Sequence, residues 1–296
     1  MSPSEDADGR GVGATDGQRI IVGVNASRVA QNAVLWAAQE ARLRRLDLII
    51  AHVTADGASP SRDTAVDREN LLNSSAAAAS QREPSVAVGT LLLRGVVSEA
   101  LVQLTKSSAL LVVGVDSAKP RSAYGALGSV EDRLLVHASC PVVTVSRSPR
   151  FRYERHHRIV ALWTGVPASE PILTQACAEA VLSDARLTVV DASDSTASLG
   201  EMNSENRSRL RTEALVKSAA RGWDVQADVV HAEGQLASEL SRLSADADLL
   251  VLGCKHSDDR WSIRTGSLAS TAMRGASCPV MFLNSAVGSA HVHAGR

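Results

Sequence analysis

Two stretches of the chain carry residue types suited to holding a phosphate. Residues 112–129 read VVGVDSAKPRSAYGALGS: an apolar run ends at Gly114, a loop with Ser117, Lys119 and Arg121 follows, and Gly128-Ser129 opens a helix. Residues 251–267 read VLGCKHSDDRWSIRTGS, with Gly253, His256 and Gly266-Ser267 in the same layout. Glycine lets backbone approach phosphate oxygens and tolerates positive φ. A Gly-Ser at a helix start offers unpaired N–H groups and the positive end of the helix dipole. The alternative role of both loops is a polar connection that caps a helix through Ser129 or Ser267.

The other chemistry-bearing residues point away from catalysis. His52 and Asp191 fall at matching places in the two halves of the chain, and each is expected to be a strand-end polar residue. Cys140 and Cys278 each precede a proline, a repetition that suits a small buried residue better than a nucleophile. The four cysteines form no Cys-x-x-Cys pair, so neither a zinc site nor a disulfide frame is expected. His291 and His293 fall in a terminal stretch that reads as a frayed end. There is no Walker loop, no Ser–His–Asp series and no pair of carboxylates with a reason to converge. The expectation is therefore no catalytic residue, no metal site and no efficient ATP hydrolysis.

The elements that must position these loops repeat. At an offset of 139 residues, Ile20 falls on Ile159, Leu48 on Leu187, Gly95 on Gly234, and LLVVG (110–114) on LLVLG (249–253). Beyond the loops the offset is 138, placing Gly128-Ser129 on Gly266-Ser267 and Cys140-Pro141-Val142 on Cys278-Pro279-Val280. One domain has been duplicated in tandem. In the first copy, apolar runs at 20–25, 46–53, 86–95, 109–114 and 141–146 read as strands. Helices are predicted from Ser27, carrying Val29, Ala33, Trp36, Ala37 and Glu40, and over 62–81, 97–107 and 128–137. Alternating strands and helices imply a doubly wound parallel sheet with helices on both faces, and ligands at the carboxyl strand ends where the winding reverses. The predicted organisation is a disordered tail over 1–17, domains over 18–146 and 157–284, a basic linker over 147–156, and a second tail over 285–296.

Composition limits the partners. The 31 basic and 32 acidic residues leave no global field for nucleic acid or an anionic membrane. No apolar run approaches the roughly 18 residues needed to span a bilayer. The cysteine spacing and the lack of a secretory leader fit a cytoplasmic protein. Five arginines and two histidines over 147–158 read as a solvated linker.

IIVGVNAS (20–27), the strand end at Gly114, Gly128-Ser129 and the two Cys-Pro-Val strands resemble the universal stress protein family, in its tandem two-domain form. The resemblance implies two Rossmann-like five-strand parallel sheets in the order 3-2-1-4-5. It also implies binding of ATP, with Mg2+ able to accompany it, and pairing through the last strand. Here residues 142–145 and 280–283 are the matching edges, for pairing between the halves or within a homodimer. A further regulatory protein partner is expected.

The family's ATP pattern is an Asp closing the first strand, then Gly, two residues, Gly, nine residues and Gly-Ser or Gly-Thr. The first copy has Gly23 and Asn25 at the first strand, Gly114, Ser117 for the second glycine, and ten residues before Gly128-Ser129. The second copy has Leu162 and Thr164 at the first strand, Gly253, His256 for the second glycine, and nine residues before Gly266-Ser267. Pro171 should delay the helix after that strand to near Ser169. The first copy is thus expected to be the better nucleotide site. A non-binding descendant acting through protein contacts, and a slow adenine-nucleotide hydrolase, are the alternatives.

Overall fold

The structure, a computed structural model, describes residues 18–54, 62–116, 129–146, 155–164, 170–193, 202–232, 236–254, 272 and 275–284. The first half runs β1 (Arg19–Gly23), α1 (Arg28–Arg44), β2 (Leu48–Thr54), α2 (Arg62–Arg82), β3 (Val88–Arg94), α3 (Val97–Thr105), β4 (Ser108–Gly114), α4 (Ser129–His137) and β5 (Val142–Val145). The second runs β6 (Arg158–Trp163), α5 (Glu170–Ser183), β7 (Arg186–Asp191), α6 (Met202–Gly222), β8 (Ala227–His231), α7 (Leu236–Ser244), β9 (Leu249–Cys254) and β10 (Val280–Asn284).

Strands such as RIIVG and LLVLGC are short, apolar and β-branched or leucine-rich, as strands covered on both faces must be. Ser27 caps α1, its Oγ accepting from the Ala30 N–H at 3.3 Å. The helix closes on Arg45 in the left-handed region, φ 56°, and α5 closes on the equivalent residue, Asp184, at φ 50°. The same bond completes both ends: Leu46 N–H to Ala41 O, and Ala185 N–H to Ala180 O, each 2.9 Å.

Each half has the strand order 3-2-1-4-5, and the halves are joined. One ten-stranded sheet runs β3-β2-β1-β4-β5-β10-β9-β6-β7-β8. All pairings within a half are parallel, and the β5–β10 pairing at the centre is antiparallel. There Val143 lies opposite Met281, its own equivalent at the 138 offset. That register is what a local two-fold axis normal to the sheet requires. The axis keeps equivalent helices on one face. A single core cluster draws on Ala33, Ala37 and Leu72 from one half and Leu173, Ala176 and Val216 from the other. On the opposite face α4 reaches across the seam: Leu135 joins the core cluster that holds Phe282, and Asn284 Nδ2 donates to the Val136 carbonyl at 2.6 Å.

The axis also brings Glu40 of α1 towards its equivalent, Glu179 of α5. Arg44 lies between them. Its Nη2 meets both Glu179 carboxylate oxygens at 2.6 Å, and its Nε meets Glu40 Oε1 at 2.8 Å. Both carboxylates are nearly excluded from solvent, with side chains 9% and 2% exposed. Burial opposes the Arg44 charge, but Glu179 and Glu40 outweigh it and raise the guanidinium pKa. Burial pushes the Glu40 carboxyl up, Arg44 pulls it down and Glu179 pushes it up again, for a net rise.

Gly114, closing β4, sits where α1 crosses closest. A Cβ there would lie 2.6 Å from the Val29 carbonyl carbon and 2.8 Å from the Ala30 nitrogen.

Two predictions follow from these contacts. Arg44→Met strands two buried carboxylates and is expected to cost about 3–5 kcal/mol in urea unfolding. Adding Glu179→Gln should recover part of that. The native Glu40 pKa lies above its unfolded value, so the folded state holds the proton more tightly. Stability therefore falls as pH rises from the unfolded carboxylate pKa through the native one. Without Arg44 that fall should steepen, making the variant's Tm deficit larger at pH 8 than at pH 5. Separately, Gly114→Ala should cost about 1–3 kcal/mol because backbone must move. Gly23→Ala meets nothing nearer than 3.4 Å and should change stability by less than about 1 kcal/mol.

Candidate functional site

In the first half the carboxyl ends of β1, β2 and β4 open onto a cavity of about 430 Å³, closed by α3 and α4. Its walls include Gly23 and Asn25 after β1, His52 and Val53 on β2, Gly114 on β4, Leu101 on α3, and Val130 and Glu131 on α4. Two other hollows lie elsewhere: about 310 Å³ along the seam between the halves, and about 910 Å³ beside Arg158, Arg186 and Asp228 at the amino ends of β6–β8. The first-half cavity is the candidate because it lies where neighbouring β1 and β4 mark the reversal of winding.

The structure brings three of the sequence-derived residues together here, Gly23, Asn25 and Gly114. Gly23 leaves space, since an added Cβ would make only ordinary contacts with Leu101 and Val113. Asn25 does not close the strand as the sequence suggests. β1 ends at Gly23, and Asn25 lies exposed in the turn with its Oδ1 accepting from the Ser27 N–H at 3.1 Å. That local bond competes with strand pairing, as Asn side chains commonly do. Gly114 borders the cavity, but its missing side chain faces the first turn of α1. Ser129 opens α4. Ser117, Lys119, Arg121 and Gly128 lie outside the described residues.

Two wall residues were not singled out by the motif. His52 has Nδ1 2.8 Å from the Val24 carbonyl oxygen, so Nδ1–H donates and Nε2 of a neutral ring is left as an acceptor. Glu131 lies in the first turn of α4, beside Asp132. The Asp132 carboxyl is pushed up by burial and then by the Glu131 charge. Helical spacing from Gly128-Ser129 could have flagged Glu131, because it follows on the same turn.

The second half departs at the same place. Leu162 stands at the Gly23 position, 2% exposed, within a core cluster that holds Val190, Leu240 and Leu252. Those residues are the counterparts of Ala51, Leu101 and Val113. The second half therefore carries a buried side chain where the first half has only hydrogen. Gly253 is again next to the helix that follows the first strand, since a Cβ there would overlap the Ile172 side chain of α5. That helix is described from Glu170, with Pro171 in its first described turn. His256, Gly266 and Ser267 lie outside the described residues, as do His291 and His293.

Asp191 is a strand-end residue, but not a solvated one. It is 4% exposed, accepts from the Ser193 N–H at 3.0 Å, and places Oδ2 3.3 Å from His231 Nδ1. His231 Nε2 is 3.7 Å from Glu213 Oε1 on α6. Glu213 is held below the usual carboxylate range by its bond to Lys217 and, less, by His231. The alignment of Asp191 with His231 falls short of a hydrogen bond. All four cysteines are buried, and burial raises the thiols, Cys177 to about 11 and Cys140, Cys254 and Cys278 to about 12. None is poised as a nucleophile. Among the described residues, no group of three or more His, Cys, Asp or Glu side chains could hold a metal ion, and no helix is long and apolar enough to cross a membrane.

Known proteins share this architecture and sequence. A universal stress protein of Mycobacterium tuberculosis, Rv2005c, is 27% identical over 283 residues, covering 88% of this chain and 95% of its own. A second from that organism, Rv2623, is 26% identical over 282 residues with the same coverage. The crystal structure of a universal stress protein from Archaeoglobus fulgidus superposes with a TM-score of 0.68 at 11% identity, over 90% of this chain and 98% of that one. The profile of the Universal stress protein family matches twice, at residues 17–146 and 156–284. With nearly all of the sequence accounted for by those two matches, the chain belongs to the universal stress protein family as a tandem member.

Proposed function

We propose that this protein is a regulatory universal stress protein whose first half binds an adenine nucleotide, while its second half has lost that site and serves as a structural partner. The observation that carries the reading is the contrast at one position. Gly23 puts no side chain into the first-half cavity, and its counterpart in the second half is the buried Leu162. The family's ATP pattern places a nucleotide at this strand crossing, and the first half keeps Gly23, Gly114 and the helix start at Ser129. The walls suit a base: Val24, Val53, Val97 and Leu101 are apolar, and Asn25 and His52 supply polar edges.

The site is one of binding, with turnover no part of the reading. Asn25 and His52 are each tied to backbone within their own half, which positions them as recognition groups. In this reading the protein acts in the cytoplasm, ATP or a related adenine nucleotide shifts its contacts with a regulatory partner, and Mg2+ accompanies the phosphates where present. Residues 18–146 and 157–284 are proposed as the two domain units, with 147–156 as the linker between them.

Titration calorimetry of the full chain with adenosine, AMP and ATP, in Mg2+, tests the proposal. Saturable binding of at least one ligand at one site per chain is expected. Gly23→Leu should weaken it at least about 100-fold while the chain stays folded, since leucine already occupies the equivalent place in the second half. Leu162→Ala should leave affinity within about threefold. Absence of heat with all three ligands would overturn the reading in favour of a descendant that works through protein contacts alone. Multiple turnovers of ATP at about 1 per second or faster would show an enzyme instead.

A further inference from the structure

The second half carries a polar row that the first half does not repeat. Trp163, Asp191 and His231 are the last residues of β6, β7 and β8. They are register partners, Trp163 beside Asp191 and Asp191 beside His231. Register partners in a parallel sheet point to one face. That face is the α5 and α6 side, where Trp163 belongs to the core cluster that holds Ile172 and Leu173 and where Glu213 approaches His231. Trp163 is 5% exposed and Asp191 4%. Trp163 Nε1, Asp191 Oδ2 and His231 Nδ1 are shielded from solvent, and none has a hydrogen-bond partner among the described residues. Asp191 Oδ1 already accepts from the Ser193 N–H, so Oδ2 is the open acceptor. A shielded donor or acceptor left unpaired is expensive, and native proteins keep few of them. At the 139 offset the first half has Val24, His52 and Leu92: two carry no polar side-chain atom, and His52 bonds the Val24 carbonyl.

We propose that this row binds a neutral polyhydroxyl small molecule, a polyol or sugar, a role beyond the adenine reading and independent of it. An indole N–H only donates, and a carboxylate oxygen only accepts. An ammonium group would leave Trp163 unpaired, and an anion would meet the Asp191 charge. A hydroxyl both donates and accepts, and successive hydroxyls on one carbon frame can serve successive strands. His231 Nδ1 donates or accepts according to its tautomer, so it takes either side of a further hydroxyl. The side chains of His231 and Glu213 are 20% and 38% exposed, so the row reaches solvent at its β8 end.

The test is NMR titration of the full chain, reading the indole N–H signals of its four tryptophans. The Trp163 signal is assigned from its loss in Trp163→Phe. The probes are myo-inositol and glucose, with tetramethylammonium and sulfate as the cation and the anion. A saturable shift confined to the Trp163 signal is expected with both hydroxyl probes and with neither ion. Asp191→Asn puts an amide donor in place of Oδ2 and should weaken myo-inositol at least about tenfold, the loss of a bond to a charged acceptor. Saturation transfer from protein to ligand should show Trp163→Phe weakening it about three- to tenfold, the loss of one donor. Thermal melts check that both variants fold, and the parent titration decides without either. No shift from either hydroxyl probe would overturn the proposal, since water or the chain itself would then serve these atoms. So would a larger response to either ion, a shift shared by all four indoles, or an affinity unmoved by Asp191→Asn. Displacement of myo-inositol by adenosine would also overturn it, by placing both ligands in one site. Adenine binding by the first half stands or falls separately.

Discussion

The antiparallel pairing of β5 with β10 is the constraint from which the rest of the architecture follows. A five-strand parallel sheet in the order 3-2-1-4-5 ends on its fifth strand, whose outer N–H and C=O groups need partners. Here each fifth strand supplies them to the other, and two open sheets become one. Because Val143 meets its own equivalent, Met281, the joint imposes local two-fold symmetry on everything that flanks it. Equivalent helices share a face, so α1 meets α5. Equivalent side chains approach one another across the axis, which is how Glu40 comes near Glu179.

Like charges brought together by symmetry are a cost that a duplicated chain can resolve asymmetrically. Arg44 has no basic counterpart, since Ser183 stands at its equivalent position. One guanidinium therefore serves two carboxylates, with Gln175 adding a bond to Glu179 at 2.6 Å. Two identical first halves would place two arginines at such a seam, and two second halves would place none. The arrangement fits one copy of each. Once the halves were fused they could drift apart at their seam, and the carboxyl ends of the two sheets show the same drift. Gly23 and Leu162 occupy one backbone position, yet one leaves a cavity and the other completes a core.

Much of this was legible in the residues, for definite reasons. The duplication is written in offsets that stay constant through separated anchors, and buried parallel strands announce themselves as short apolar runs. Glu40 could be placed on the inward stripe of α1 by helical spacing, and it is buried there. The strand order came from family resemblance, because periodicity does not say which strands are neighbours. The role of Arg44 was not legible: it completes a contact between residues 135 positions apart, set by the seam and not by anything local. His231 escaped notice similarly, because it meets Asp191 across β7 and β8 and Glu213 across a helix–sheet interface. Asn25 was misplaced by two residues of strand, since its bond to the Ser27 N–H ends the ladder early.

Motif glycines show most clearly why pattern and mechanism must be separated. Gly114 matches a phosphate-loop position, and its backbone does border the cavity. Yet the absence of its side chain is already required by α1, whose backbone passes where a Cβ would stand. The same holds in the second half, where Gly253 makes room for Ile172 although a leucine stands at the Gly23 position. A glycine retained in both halves is explained by helix packing before any ligand is invoked. Gly23 is different. Nothing in the packing forbids a side chain there, and its counterpart carries one. The position that packing leaves free is the one where composition can answer to a ligand, so Gly23 distinguishes the two halves in structure where Gly114 and Gly253 do not.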